Sequence, residues 1–328
     1  MIGIKRCTNS AVTDFYLNII KKALENNGKK VVDFDFKNCK KTDYIVVSTV
    51  IEFFQVYFKG YHNIIWWMQG IEPEESYMKH GSIGKKVLLE KMTYFALRHS
   101  KFIFFVSAKM REYVDDKYKI STVDYSFIMP CFNSVIDKSC FYKKNKYTNN
   151  KFCYIGSLSS WQCFEETIVY FKLIKSVIAD AEFIIYTSEI EKAKEILKKY
   201  GLENVYVGCV NPEEMNSVLC DVKFGFIIRK DNPVNSVATP TKLSSYLAAG
   251  VIPIYSNCID SFNKQLAKTK FHVEISKLES LPEEMLLLCR NTINPEEVFD
   301  DYKFIFSTYY SEDKYIEDIA EKMKKIIN

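Results

Sequence analysis

Twelve short runs rich in Val, Ile, Phe and Tyr punctuate the chain, most of them separated by segments long enough for a helix. That alternation is the pattern of βαβ units, which build parallel sheets covered by helices on both faces. The runs fall into two sets. "IGIKRC", "VVDFDF", "YIVVST", "NIIWWMQ", "FIFFVS" and "DYSFIM" occupy the first half, with helical periodicity near 12–27, 82–98 and 109–117. "KFCYIGS", "AEFIIYT", "VYVGC", "FGFIIR", "VIPIYS" and "FHVEI" occupy the second. Between them, residues 133–150 are polar and lysine-rich, carry neither period, and read as an interdomain linker. The expected fold class is therefore α/β, with two Rossmann-like doubly wound domains facing a cleft. The expected domains are 1–146, 147–309 and a terminal segment 310–328 whose Ile316, Ile319, Ala320, Met323 and Ile326 recur at helical spacing and which is free to pack back on the first domain.

Ligands of such sheets bind beyond the carboxyl ends of the strands, so function belongs in strand-end loops. Composition narrows the ligand. With 45 Lys and Arg against 41 Asp and Glu, the net charge of +4 calls for no nucleic-acid partner. The ten cysteines, among them Cys7, Cys39, Cys131 and Cys140, form no C-x-x-C pair and read as free thiols. "MIGIKRCTNS" lacks the apolar core of a secretory signal. The longest apolar tract, Tyr44 to Phe58, is interrupted by Ser48, Thr49, Glu52 and Gln55 and is too short to span a bilayer. A cytoplasmic protein without a membrane span is expected.

Two strand-end loops in the second half suit an anion. In "YIGSLSSWQCFEETI", small residues from Gly156 and Ser157 onward precede a helix, where backbone can approach a phosphate. An ordinary strand-to-helix turn has the same composition. In "IIRKDNPVNSVATPTKLSSYLAAG", Arg229 ends a strand, while Thr239 as N-cap, Pro240 at the first position and Gly250 at C′ predict a helix over 240–249 with Lys242 in its first turn. A solvated lysine and an Arg229–Asp231 ion pair are the alternative fates of these cations.

The segment from Gly225 to Asn257 resembles the donor site of GT-B glycosyltransferases of family-four type, especially those that build bacterial capsular and O-antigen polysaccharides. "YIGSLSSWQCFEETI", "SKFIFFVSAKMREYV", "IMPCFNS" and "WWMQGIEPEES" are similar to further segments of that family. The resemblance implies that Arg229 and Lys242 bind the donor diphosphate, that Gly156 and Ser157 form the loop beneath it, and that Asn232, Asn235, Thr239 and Thr241 lie near the transferred sugar and β-phosphate. It also marks departures. Ser245, a donor-binding candidate able to hydrogen-bond a hydroxyl though more weakly than a carboxylate, and Val237 stand where relatives carry glutamates, Trp161 and Gln162 where many carry a lysine, and Gln69 where many carry a histidine.

In the first half, Gln69, Gly70, Glu72, Glu74 and Glu75 follow a strand and are candidates for the acceptor side; a solvated acidic helix start is the competing reading. "KKVLLEKMTYFALRHSK" combines apolar and basic residues, as a helix resting on an anionic membrane would, although a helix packed on the sheet fits too. Asp33 and Asp35 form a D-x-D pair, but far from the phosphate loops, and the four histidines show no ligand spacing, so neither a metal nor another cofactor is assigned. The expected activity is metal-independent transfer of a hexosyl group from a UDP or GDP sugar to a glycan acceptor, lipid-linked and at the inner membrane face, with retention implied by the resemblance alone. A nucleotide-sugar epimerase and a non-catalytic sugar-nucleotide or glycan-binding subunit are the competing readings.

Overall fold

The computed structural model describes residues 1–6, 11–275 and 279–327. Two compact units account for it: 1–130 with 236–238 and 311–328, and 131–235 with 239–310. The first holds one parallel sheet of β1 (Ile2–Ile4), β2 (Val31–Asp33), β3 (Tyr44–Val47), β4 (Ile64–Met68), β5 (Ser100–Phe105) and β6 (Ser126–Ile128), in the order β2-β1-β3-β4-β5-β6. The second sheet, also parallel, contains β7 (Lys151–Ile155), β8 (Glu182–Tyr186), β9 (Tyr206–Gly208), β10 (Phe224–Ile227), β11 (Ile252–Ser256) and β12 (Val273–Ile275). Its order is β12-β11-β10-β7-β8-β9. Each apolar run identified in the sequence overlaps one of these strands, β5 starting two residues before its run; Cys7, at the end of the first run, lies outside the described residues.

Central strands read as unbroken apolar runs because helices cover both faces. In β4 every residue from Ile64 to Met68 is buried, Trp66 and Trp67 included. In the second sheet, Phe152 stacks on Phe224 at 4.9 Å between ring centroids, joining β7 to β10. These two strands form the topological switch point: connections leave them in opposite directions across the sheet, which opens a crevice at their carboxyl ends.

One tract is resolved into its elements and two sequence readings change. The tract from Tyr44 to Phe58 is β3 followed by the helix Val50–Tyr57, whose start is fixed by a capping box: Thr49 Oγ1 accepts from Glu52 N, and Glu52 Oε2 accepts from Thr49 N. The stretch 133–150 is packed into the second unit. Lys146, 1% exposed, donates to the carbonyl oxygens of Leu219, Cys220 and Val222 at 3.1, 3.0 and 2.9 Å, and Asp137 N donates to Ala248 O. Composition disguised this because the lysines surrounding Lys146 are solvated. Cys140 and Cys220, 80 residues apart, are paired as a disulfide with Cα atoms 4.5 Å apart, so the free-thiol reading fails there. Pairing across that separation leaves no spacing signature.

The terminal helix Glu312–Lys324 belongs with the first unit. It buries Tyr315, Ile319 and Met323, one residue per turn, and Lys22 reaches Glu312 at 2.7 Å. Among the described residues, no helix is long and apolar enough to cross a membrane.

Candidate functional site

Gly156 follows β7 directly and has φ +126°, a conformation that favours glycine. Its N–H donates to Tyr186 O at 2.9 Å, so it is not free to bind an anion. What the glycine provides is space. A Cβ there would sit 2.6 Å from Lys242 Cε and 2.9 Å from Lys242 Nζ.

Lys242 begins the helix Lys242–Ala248, two residues later than the sequence reading placed its start. Thr239 does not cap it; Thr239 Oγ1 accepts from Cys131 N at 3.2 Å instead. Gly250, at φ +70°, does occupy the left-handed position after the helix. All seven helical residues are buried, Lys242 at 8% exposure, so the solvated-lysine alternative is wrong. Lys242 Nζ lies 4.2 Å from the centre of the Tyr154 ring and, among the described residues, has no hydrogen-bond partner. Burial pushes its pKa well below the usual lysine value, and the charge of Arg229 pushes in the same direction.

Arg229 follows Ile228 at the end of the β10 segment and is 6% exposed. Its backbone N–H donates to Ser256 Oγ at 3.0 Å, and Nη1 donates to Ile228 O at 3.1 Å. Burial lowers its pKa too. The alternative fate, an Arg229–Asp231 ion pair, does not form among the described residues, and the neighbouring Lys230 bonds outward to Glu166 at 2.5 Å. Two buried cations therefore share one crevice without a carboxylate paired to either among the described residues. Such an arrangement is costly alone and favourable around a bound anion.

The flanking polar residues build the loop. Asn232 Oδ1 accepts from Asn235 N at 3.0 Å, and both side-chain amides donate to Lys230 O, at 3.2 and 2.8 Å. Thr241 O accepts from the Ser244 hydroxyl at 2.8 Å and lies 3.3 Å from that of Ser245. Ser245, 2% exposed, donates to Asn133 Oδ1 at 2.9 Å. Its hydroxyl is thus occupied, and the exposed Asn133 stands over it. Ser157 Oγ lies 3.1 Å from Ser159 Oγ. Val237 is counted with the first unit, where its carbonyl accepts from Ser107 Oγ at 2.6 Å.

Sequence reasoning did not assign three contributors. Tyr154 places its ring against Lys242, Asn133 engages Ser245, and Gln162 holds a buried Oε1 that has no hydrogen-bond partner among the described residues and would lie 3.9 Å from a Cβ at Gly156. A buried amide oxygen without a donor is costly, and it marks Gln162 as facing the same crevice. The signal available in the sequence was only its place after the small-residue loop.

The acceptor-side candidates lie in the first unit. Gln69 is exposed after β4. A Cβ on Gly70 would collide with the carboxylate of Glu75, and loss of solvent around that carboxylate raises its pKa. Burial likewise raises that of Glu72, whose Oε1 accepts from Val50 N at 3.1 Å. Glu74 is tied to Lys86 at 2.6 Å, Lys117 at 2.7 Å and the Tyr113 hydroxyl at 2.9 Å. Burial opposes its ionisation, but these bonds outweigh burial and hold its pKa at about 2 against an ordinary 4.5. Its contribution to stability is therefore complete above pH 4.5 and is lost as pH falls towards 2. Thermal melts should show Glu74→Gln destabilised relative to wild type at pH 7 by more than at pH 3.5; an equal difference at both would refute the linkage.

The D-x-D pair is otherwise engaged: Asp33 bonds Arg6 at 3.0 Å, and Asp35 Oδ1 accepts from Lys37 N.

The arrangement of two parallel six-stranded sheets with interleaved helices matches solved structures. The Anabaena HepE protein, in complex with UDP and glucose, superposes with a TM-score of 0.70 over 99% of both chains at 10% identity. Sucrose-phosphate synthase from Thermosynechococcus elongatus gives 0.61, over 100% of this chain and 94% of that one, at 8% identity. The fold is GT-B. A third GT-B match, Staphylococcus aureus TarM with fondaparinux, α-GlcNAc-glycerol and UDP, gives 0.65 at 13% identity. It covers 89% of this chain, which spans only 57% of the length of TarM. Protein-family profiles and curated sequences yield no match. At these identities the GT-B likeness speaks for architecture, and the chemistry must be argued from the side chains.

Proposed function

We propose that this GT-B protein is a glycosyltransferase that moves a hexosyl group from a nucleoside diphosphate sugar to a glycan acceptor. The observation that carries the reading is the pair of buried, uncompensated cations, Arg229 and Lys242, packed around Gly156. As the bond from the sugar's anomeric carbon to the distal phosphate oxygen breaks, its electron pair passes to the leaving nucleoside diphosphate. Cations already desolvated and fixed beside that oxygen stabilise the developing charge. They meet it without the reorganisation that water would need.

Arg229 and Lys242 supply this compensation themselves, which supports a metal-independent mechanism. Family-four membership, a capsular or O-antigen product, retention of configuration, a lipid-linked acceptor and peripheral membrane association complete the proposal, supported by the sequence resemblance. UDP is the first nucleotide to try, since HepE and TarM are both described with it. The engaged hydroxyl of Ser245, where relatives have a glutamate, favours a binding subunit as the second reading.

A thermal-shift panel of UDP, GDP, ADP and CDP with EDTA present is the direct test. At least one should raise the melting temperature by several degrees at millimolar concentration, because ligand binds only the folded state. No shift from any of them would reject the donor site. A shift without turnover of any nucleotide sugar would favour the binding subunit.

A further inference from the structure

The Cys140–Cys220 disulfide lies among oxygens that it cannot satisfy. Asp137 Oδ2 is 3.6 Å from Cys140 Sγ, and the carbonyl oxygen of Asn216 is 3.5 Å from the same sulfur. Either oxygen could accept from a thiol, but a disulfide sulfur carries no hydrogen to donate. The carboxylate is held in this orientation by its other oxygen. Asp137 Oδ1 accepts from Ser139 N at 3.0 Å and from Ser139 Oγ at 2.7 Å, at the start of the helix Lys138–Phe141. Among the described residues, Asp137 Oδ2 has no hydrogen-bond partner other than the sulfur.

One ligand atom from each of Asp137, Cys140 and Cys220 lies within 4.8 Å of the other two. In a tetrahedral zinc site, with bonds of about 2.3 Å to sulfur and about 2.1 Å to oxygen, a sulfur and an oxygen ligand stand about 3.6 Å apart. Asp137 and Cys140 already have that separation. Cys140 is buried, whereas Asp137 and Cys220 are half-buried, so the cluster is reachable from solvent.

We propose that Asp137, Cys140 and Cys220 form a site for a thiophilic divalent cation of the zinc type, which takes the place of the disulfide under reducing conditions. A dithiol reductant gives two electrons to the disulfide and becomes a disulfide itself, while its two protons pass to Cys140 and Cys220. The incoming ion displaces both protons and binds the two thiolates and the Asp137 carboxylate, with water as the fourth ligand. Disulfide and ion hold the same segment. Asn133 N donates to Ser244 Oγ at 3.1 Å, Ser245 Oγ donates to Asn133 Oδ1, and Asp137 N donates to Ala248 O, so residues 133–137 run along the helix Lys242–Ala248. Linking Cys140 to Cys220 anchors that segment in either redox state. The ion takes no part in transfer, and the proposal does not rest on the transferase reading.

Titration of the full chain, reduced with a phosphine and freed of metal, provides the test. Cobalt(II) should bind with thiolate-to-cobalt charge-transfer absorption, and zinc(II) should displace it. The unreduced chain should show no such band. Cys140→Ser and Cys220→Ser should each weaken zinc binding by about 100-fold or more, and Asp137→Asn by about tenfold. Asp137→Asn keeps both thiols, so it tests the site even where a cysteine variant fails to fold. Absence of the band in the reduced wild type, an equal band in the unreduced chain, a band of wild-type intensity in Cys220→Ser, or wild-type zinc affinity in Asp137→Asn would each overturn the proposal.

Discussion

Lys242→Met is expected to make the ligand-free protein more stable while lowering turnover of its nucleotide-sugar donor on the order of 100-fold or more. The two effects have opposite signs because one group causes both. In the free protein, Lys242 Nζ is buried beside Arg229 without a hydrogen-bond partner among the described residues, and burial disfavours its charge. Removing it relieves a penalty of about 1–3 kcal/mol. Methionine fills similar volume, so it leaves little cavity in a helix whose residues are all buried. A rise of a few degrees in melting temperature should result. On the proposed transferase reading, the same substitution removes charge placed where the leaving diphosphate would develop its own. Lys230→Met is the control, because Lys230 is exposed and pairs with Glu166. A destabilised Lys242→Met protein with normal turnover would assign Lys242 to scaffold.

Gly156→Ala should be damaging in a different way. At φ +126° an alanine costs about 1–3 kcal/mol in backbone strain. Its methyl would also lie 2.6 Å from Lys242 Cε, and a side chain packed on Tyr154 in a buried crevice has little room to yield. The ammonium would be displaced from the anion position. Both stability and nucleotide binding should fall, the latter at least tenfold by titration calorimetry. Unchanged nucleotide affinity in Gly156→Ala would show that the anion lies elsewhere.

The fold was legible because its determinants are local. A strand buried on both faces must be an apolar run, and twelve such runs with helical spacers leave few architectures other than parallel sheets. Arg229, Lys242 and Gly156 were legible as a set because each ends a strand or opens a helix. Their burial was not. A lysine in a first helical turn looks solvated until the neighbouring elements cover it, and that covering depends on the packing of Tyr154 from another strand. The same limit hid Lys146, which resembles its solvated neighbours in sequence but spends all three ammonium hydrogens on carbonyls more than 70 residues away. Ser245 shows the same limit: its partner Asn133 stands more than 100 residues earlier in the chain, where sequence spacing does not reach. Periodicity reports which face a residue is on, and contacts distant in sequence decide what meets it there.

The diphosphate site itself is tested most directly by titrating UDP into wild type and Lys242→Met at pH 8 in a calorimeter. Burial disfavours the charge of Lys242 in the free state, and a neighbouring diphosphate favours it again. The expected result is binding to wild type, with most of the affinity lost in Lys242→Met. Equal affinity in the two proteins, or no binding to wild type, would contradict a diphosphate site at Gly156, Arg229 and Lys242.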